Sequence, residues 1–574
     1  MKIRVILQSL FIILLFLIFF INLNSQRIST TKHNLSSGGS GTIKASSESE
    51  ICIFCHTPHA AKPRNPLWNR DDPGITYSLY QSTTLHASLG QPDGSSVLCL
   101  SCHDGTIALG KVASRSTNIT FNSGITTLPS GRSNLGTDLR NDHPISFLYN
   151  AALAAANGEL RDPSQLSGGV TLSNSKVQCT SCHDSHYSIY PSFLVASTQR
   201  SGLCTNCHIR TNWSTASHAT STRTWNGSGT NPWPHTSYTT VQDNACENCH
   251  NPHNAVTPVR LLNQSGEENN CISCHNGNAA SVNVWNEFAS TRTSKHDIAS
   301  YLGVHDMAES TIPSSKHVEC TDCHNPHQAA SNSPAATAPN ASRLLRGVKG
   351  INLSGNAVTN VSYEYEICFK CHSSASWRQQ AYITRQIVQT DTRLEFQSNG
   401  PSFHPVAAPR GNSEVPSLIS PWSSSSYMYC TDCHSSADAT SSQKGPHGSI
   451  YSPLLKKRYK LTETNGQNNN DATDFALCYT CHDRNTAGKG ILQNMSFRYH
   501  SSHVVDEGVS CSTCHDSHGI SSSQGNSTNN SHLINFNTSI VSAYNGVLRY
   551  DDTGVYHGRC TLVCHGKAHD PYTY

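Results

Sequence analysis

The sequence predicts a mostly irregular, elongated chain with short helices, a few short strands and no single hydrophobic core. Of its 574 residues, only 36% are hydrophobic and 7% are aromatic. Gly, Pro, Ser and Asn are abundant, and these residue types favour turns and loops. A chain this polar buries too little apolar side chain to offset its backbone entropy, so another group must supply the core.

The cysteines indicate what that group is. The chain has 24 cysteines, which form eleven Cys-x-x-Cys-His motifs and one longer Cys-x-x-x-Cys-His motif, so none is left for a disulfide. The cysteine pairs are Cys52 and Cys55, Cys99 and Cys102, Cys179 and Cys182, Cys204 and Cys207, Cys246 and Cys249, Cys271 and Cys274, Cys320 and Cys323, Cys368 and Cys371, Cys430 and Cys433, Cys478 and Cys481, Cys511 and Cys514, and Cys560 and Cys564. The motifs end at His56, His103, His183, His208, His250, His275, His324, His372, His434, His482, His515 and His565.

This spacing is typical of covalent haem attachment. Two thiols three residues apart on a helical turn reach the two vinyl groups of one porphyrin, and the next histidine binds the iron. Structural zinc sites use paired Cys-x-x-Cys elements but need no histidine directly after each one. We therefore predict twelve molecules of haem c, with the twelfth site resting on the longer motif. The porphyrins would then supply the missing apolar core.

The motifs occur in pairs, which predicts six two-haem modules after an N-terminal segment of residues 1–25. The predicted modules are residues 26–135, 136–225, 226–300, 301–395, 396–490 and 491–574. Each module carries two histidines outside its motifs, one upstream of the first motif and one downstream of it. These twelve are candidate distal iron ligands: His33, His59, His143, His186, His235, His253, His317, His327, His404, His447, His503 and His518. Eight further histidines are alternates: His86, His218, His296, His305, His500, His532, His557 and His569.

Five of the downstream candidates follow a motif histidine by three residues. Such a histidine lies on the same side of its own haem as the proximal ligand and cannot reach the far face. We therefore expect it to bind a neighbouring iron. Since the chain has only four methionines, we expect two histidines on nearly every iron and low reduction potentials.

The N-terminus predicts export. Lys2 and Arg4 precede an apolar run from Val5 to Leu23 and a polar stretch that begins at Asn24. This pattern predicts a signal peptide over residues 1–25, with an uncleaved membrane anchor as the alternative. The expected location is the periplasm, the outer surface or the extracellular space.

The strings CIFCHTPH, CLSCHDGTIA, GTDLRNDHPISF, CTDCHNPH, GPHGSIYSPLL and CTLVCHGKAH resemble the doubled-motif multihaem c-type cytochromes of dissimilatory metal-reducing bacteria. That family works in the periplasm, at the outer membrane and outside the cell, as filaments or in porin–cytochrome conduits. The resemblance implies that His143 in NDHPISF and His404 in PSFHP are distal ligands. It also implies an external terminal acceptor such as a metal oxide.

Two functions are open at this point. The first is an electron carrier, with no catalytic residues and with redox proteins or further copies of the chain as partners. The second is a multihaem reductase of a small nitrogen or sulfur oxyanion, which needs one iron with an open coordination site. No altered Cys-x-x-Cys-Lys motif marks such an iron, which favours the carrier. The net charge of +2 gives no reason to expect nucleic acid, and membrane contact is expected only through an uncleaved N-terminus.

Overall fold

The computed structural model describes residues 26–59, 61, 67–301, 303–331, 334–377, 382–409, 415–437, 445–463, 471–493 and 496–574. The predicted signal peptide, residues 1–25, lies outside this part of the chain. No helix among the described residues is long and apolar enough to span a bilayer.

The prediction of a mostly irregular chain with short helices and short strands is confirmed, because most described residues lie in turns and loops. The α-helices are α1 Gly94–His103, α2 Ala151–Asn157, α3 Cys179–Cys182, α4 Ser217–Thr220, α5 Val241–Asn244, α6 Glu267–His275, α7 Cys320–Cys323, α8 Glu364–His372, α9 Thr392–Glu395, α10 Cys430–Cys433 and α11 Cys511–Cys514. The strands are β1 Gln26–Arg27, β2 Ser78–Leu79, β3 Asp138–Leu139, β4 Phe147–Leu148, β5 Lys176–Val177, β6 Tyr187–Ser188, β7 Ser294–Lys295, β8 Gly350–Ile351, β9 Ala357–Val358, β10 Ser402–Phe403, β11 Gly448–Ser449, β12 Gly519–Ile520, β13 Val541–Ser542, β14 Arg549–Gly554, β15 His557–Cys564 and β16 Lys567–Thr573.

Each of the eleven Cys-x-x-Cys-His motifs lies on a helical turn. Four of these turns are 3₁₀ turns, at Cys52–Phe54, Cys204–Asn206, Ala245–Asn248 and Cys478–Thr480. In several motifs the residue before the second cysteine caps the turn with its own side chain. Asp322 accepts a hydrogen bond from the backbone N–H of Glu319 (2.9 Å), and Asp432 accepts one from that of Tyr429 (2.8 Å). Such caps satisfy backbone donors that a one-turn helix leaves open.

The chain folds as two compact units. The first contains the described residues of Met1–Thr211, Ala219–Thr224 and Asn231–Asn270. Its strand pairs are β1–β6 and β4–β5, both antiparallel, and β2–β3, which is parallel. Its apolar clusters are small, and motif cysteines pack against them. One cluster forms around Phe54, Leu109 and Phe121 and contacts Cys55 and Cys102.

The second unit contains the described residues of Asn212–His218, Trp225–Thr230 and Cys271–Tyr574. Its two-stranded pairs β7–β11, β8–β9 and β10–β12 are antiparallel. At the C-terminus, β15 pairs antiparallel with β13, β14 and β16. One apolar cluster is centred on Phe369 and Phe396 and contacts Cys430 and Cys433.

The twelfth motif differs from the others because Cys560 and Cys564 lie in strand β15. The residues between them are Thr561, Leu562 and Val563, two of which are β-branched and suit a pleated strand. Pairing with three other strands supplies the backbone hydrogen bonds that a helical turn supplies elsewhere.

Candidate haem-binding sites

Several motif histidines are held through Nδ1. In six of the twelve motifs this nitrogen donates a hydrogen bond to a backbone carbonyl further along the chain. The pairs are His103 to Ser133 (2.6 Å), His183 to Ser192 (2.8 Å), His250 to Arg260 (2.7 Å), His324 to Leu344 (3.2 Å), His434 to Pro453 (3.2 Å) and His515 to His532 (2.7 Å). A neutral imidazole that donates from Nδ1 keeps the lone pair of Nε2 available for a metal.

Three of these acceptor residues have an unusual backbone. Ser192, Arg260 and His532 have φ values of 61°, 61° and 57°, in the left-handed region that non-glycine residues rarely adopt. The chain then pairs back onto the motif, with backbone bridges such as His183 to Leu194 and His515 to Ile534. A conformation of this kind costs on the order of 1 kcal/mol, and its recurrence beside motif histidines marks a functional site.

Nine motif histidines face a second histidine from elsewhere in the chain, and the separation of the two rings is nearly the same in every pair. The ring centroids lie 6.1–6.4 Å apart in the pairs His56–His186, His103–His33, His183–His253, His208–His143, His275–His218, His324–His447, His372–His296, His434–His518 and His515–His500. Two imidazole nitrogens about 2 Å from one metal ion, each about 1 Å from its own ring centre, place the centroids about 6 Å apart. The pairs therefore fit the two axial positions of a haem iron.

Five pairs of non-motif histidines are held near each other by a repeated hydrogen bond, which we call the clip. A histidine upstream of one module is hydrogen-bonded to the residue just before the downstream histidine of the next module. Nδ1 donates from His33 to Ser185 O (3.2 Å), from His218 to Pro326 O (3.0 Å), from His296 to Pro446 O (2.6 Å) and from His404 to Ser517 O (2.5 Å). At His143 the backbone N–H donates to Pro252 O instead (2.8 Å).

Short strands extend two of the clips. Strands β7 and β11 set His296 beside His447, with the N–H of His296 donating to the carbonyl of His447 (3.2 Å). Strands β10 and β12 set His404 beside His518 in the same way (3.0 Å). One clip therefore presents two imidazoles to the two motifs of a single module. For example, His296 faces His372, and His447 faces His324.

Carboxylates orient two of the downstream histidines. His253 Nδ1 lies 3.1 Å from an Asp142 oxygen, and His518 Nδ1 lies 3.1 Å from a Glu395 oxygen. Both carboxylate side chains are more than nine-tenths buried. An oriented imidazole keeps Nε2 pointed at one position, which a metal ligand requires.

Burial keeps six of the paired imidazoles neutral. It lowers the pKa of His208, His447 and His500 to about 3 and that of His275, His434 and His515 to about 4. A protonated imidazole cannot bind iron, so these shifts keep the ligands competent at ordinary pH.

Consecutive motifs are neighbours in space. At four junctions between modules, the second motif of one module lies against the first motif of the next. A thiol–thiol hydrogen bond there raises the pKa of Cys99 next to Cys179, Cys204 next to Cys246, Cys368 next to Cys430 and Cys478 next to Cys511. Backbone contacts support this proximity, since the Cys179 N–H donates to Ser96 Oγ (3.1 Å) and the Thr431 N–H donates to Glu364 (3.0 Å). Because each cysteine attaches to a porphyrin edge, successive haems would meet edge to edge.

Comparison with known families agrees with this geometry. The family profile of the doubled CXXCH motif matches residues 173–212 and 239–280, which hold the third to sixth motifs. The profile of cytochrome c554 and c-prime matches residues 429–516, which hold the ninth to eleventh motifs. This chain is a multihaem c-type cytochrome. It is an electron-transfer protein that binds haem c covalently. No curated protein sequence matches the cytochrome.

Several candidate ligands have other neighbours in the cytochrome. His59 is exposed. His235 Nε2 donates to the carbonyl of Glu247 (2.9 Å), and His317 Nε2 lies 3.2 Å from a Glu309 oxygen. The His327 ring lies 6.2 Å from that of Trp213. Three histidines that the sequence ranked only as alternates, His218, His296 and His500, also face motif rings.

Two further motifs of the second unit, which end at His482 and His565, lie outside the nine ring pairs. Burial and the nearby His404 lower the pKa of His482 to about 4, and His482 Nδ1 accepts a hydrogen bond from, or donates one to, Ser417 Oγ (2.8 Å). In the twelfth motif, His565 Nε2 lies 2.6 Å from a buried Glu463 oxygen. Beside it, the rings of His503 and His569 lie 6.4 Å apart, a separation within the range of the nine pairs.

Proposed function

We propose that the cytochrome conducts electrons along twelve covalently bound haems, in chain order within each unit. The observation that carries this proposal is the proximity of consecutive motifs, which places porphyrin edges together. Bound haem iron supplies the one-electron chemistry. The polypeptide would supply the axial imidazoles, and burial holds several of them neutral and away from water.

The nine ring pairs support these histidines as the axial ligands of nine irons. By the same clip, His404 serves the iron of His482. For the twelfth iron, the ring separation supports His503 and His569, with His565 held by Glu463. Eleven irons would have two histidines in this way and no open position for a substrate, which favours an electron carrier over a reductase of nitrogen or sulfur oxyanions.

The cytochrome would act outside the cytoplasm, in the periplasm, at the outer surface or beyond it. The predicted signal peptide and the family resemblance support this location. The partners would be other redox proteins or further copies of the cytochrome, including a filament, and the terminal acceptor would be an external oxidant such as a metal oxide.

The test is a haem and spin-state count on the protein exported from a host that attaches haem c. Intact-mass measurement should give twelve haems over the mature polypeptide, and magnetic circular dichroism of the oxidised protein should show only low-spin iron. Eleven haems would remove the twelfth site from the proposal. A high-spin iron together with turnover of nitrite, hydroxylamine or sulfite would establish the reductase instead.

A further inference from the structure

Module four contains a cluster of metal-ligating side chains that the haem pairs do not use. His305, Glu309, His317 and Asp322 each offer one ligand atom, and these atoms all lie within 4.8 Å of one another. His317 Nε2 is 3.2 Å from a Glu309 oxygen, and His305 Nδ1 is 3.6 Å from an Asp322 oxygen. Four ligand atoms at these separations can converge on one ion.

The two histidines of this cluster are not needed by the nearby irons. In the ring pairs, the motif histidines of module four face His447 and His296. His305 and His317 instead face carboxylates, including Glu319, whose oxygen lies 3.2 Å from His305 Nδ1. The sequence predicted an iron-ligand role for His317, and the structure places it in this second cluster.

The cluster is buried and rich in negative charge. His305 is 8% exposed, Asp322 4% and Glu319 1%. Lys370 pairs with Asp322, whereas Lys349 donates to the main-chain carbonyls of Met307 and Glu309 rather than to a carboxylate. Carboxylates held together away from water are costly unless cations balance them. A bound divalent cation would provide that balance.

We propose that His305, Glu309, His317 and Asp322 bind one divalent first-row transition-metal ion, for which Zn²⁺ is the best match. Two imidazoles and two carboxylates suit tetrahedral zinc, whereas calcium and magnesium prefer oxygen ligands alone. Every cysteine of the chain belongs to a haem motif, so the zinc shell contains nitrogen and oxygen and no sulfur.

The site ties a loop to two haem motifs. Asp322 lies between Cys320 and Cys323, and its second oxygen caps helix α7 at Glu319 (2.9 Å). Its partner Lys370 lies between Cys368 and Cys371. The ion therefore fastens the loop around residues 305–317 to neighbouring haem sites and places positive charge beside them.

The experiment uses the haem-loaded cytochrome, exposed to Zn²⁺ and then passed through a weak chelating resin. Elemental analysis should give one zinc per twelve irons, and zinc X-ray absorption should show a nitrogen and oxygen shell. Glu309→Gln and His317→Ala should lower the zinc content to near zero with the haem count and low-spin spectrum unchanged. His86→Ala, which removes an exposed histidine in the other unit, should retain the zinc.

Several outcomes would overturn the site. These are a zinc content near zero in the unaltered protein, zinc retained in both site variants, or equal loss in His86→Ala. A sulfur shell would place the zinc on cysteines that lack haem. A new high-spin iron in His317→Ala would make this histidine a haem ligand. Glu309→Gln keeps the test decisive if a histidine variant does not fold, because it preserves side-chain size at the edge of the cluster.

Discussion

The motif at Cys430 and the motif at Cys560 hold their cysteines on different backbones. The first is a capped helical turn, in which the N–H of His434 donates to Cys430 O (2.9 Å) and the ring of His434 faces that of His518 at 6.1 Å. The second is strand β15, where His565 takes a left-handed φ of 49° and faces Glu463. The rise between the two cysteines is about 4.5 Å for three residues of a helix and about 13 Å for four residues of a strand. The irregular register between Cys560 and Leu562 shortens the second distance.

The difference shows which part of a haem site the short motif can fix by itself. A helical turn sets the thiol spacing and the direction of the histidine through local hydrogen bonds. In a strand, both depend on the rest of the sheet. The local geometry of the helical sites is consistent with a proximal histidine directly after the motif. The dependence of the sheet site on its neighbouring strands is consistent with our proposal that its iron binds His569, further along the chain.

The largest effect on stability and electron transfer is expected from removing a haem that is attached to a helical turn, compared with removing the haem that is attached to strand β15. Cys430→Ser with Cys433→Ser should lose one haem and destabilise the second unit, because a porphyrin on these cysteines would cover the cluster of Phe369 and Phe396, against which both cysteines pack. A porphyrin that buries about 200 Å² of apolar surface contributes about 5 kcal/mol. Cys560→Ser with Cys564→Ser should also lose one haem but leave electron transfer through the first eleven intact. Mass spectrometry counts the haems, limited proteolysis reports the loss of stability, and stopped-flow reduction measures electron transfer. An equal loss of stability and electron transfer in both double variants would contradict the comparison.

A smaller effect is expected from the ligands of the sheet site. His569→Ala should convert one iron in twelve to the high-spin state, whereas His565→Ala should leave all irons low-spin. Resonance Raman spectra report the spin state, and mass spectrometry checks that twelve haems remain. The reverse result, with high-spin iron only in His565→Ala, would show that the sheet site uses its motif histidine as the helical sites do.

The smallest effect concerns a carboxylate between two helical motifs. Burial raises the pKa of Glu364 to about 7, and its oxygens accept hydrogen bonds from the N–H and Oγ1 of Thr431 (both 3.0 Å). Because the folded pKa lies above the ordinary glutamate pKa of 4.5, the folded state binds the proton more tightly. Stability should therefore fall as pH rises from about 4.5 to about 7, by about 3 kcal/mol.

Glu364→Gln should flatten this dependence, and Glu159→Gln, at an exposed carboxylate of the other unit, should leave it unchanged. Urea midpoints at pH 5 and pH 8 measure the effect. A pH dependence that persists in Glu364→Gln would assign it to another group.

The sequence predicted the features that depend on local spacing, which are the loop-rich fold and the helical turns of the eleven shorter motifs. It did not predict the strand at Cys560, although Thr561 and Val563 favour one. Nor did it point to His218 and His296 over His235 and His317, because the closeness of a histidine to a motif in the sequence is a poor guide to its position in space. The clips join residues more than a hundred positions apart, two of them with the help of two-residue strands, and such contacts leave no periodic pattern in the sequence.

The central claim is that the downstream histidine of one module binds an iron of the preceding module. His253 tests it most directly, since its ring lies 6.1 Å from His183 of the preceding module while it follows His250 of its own by three residues. In His253→Ala, mass spectrometry should still find twelve haems, and magnetic circular dichroism should find one high-spin iron. That signal should be missing when Cys179→Ser and Cys182→Ser are added, because the affected haem is then lost. Twelve low-spin irons in His253→Ala, or a high-spin signal that survives those two changes, would contradict the account.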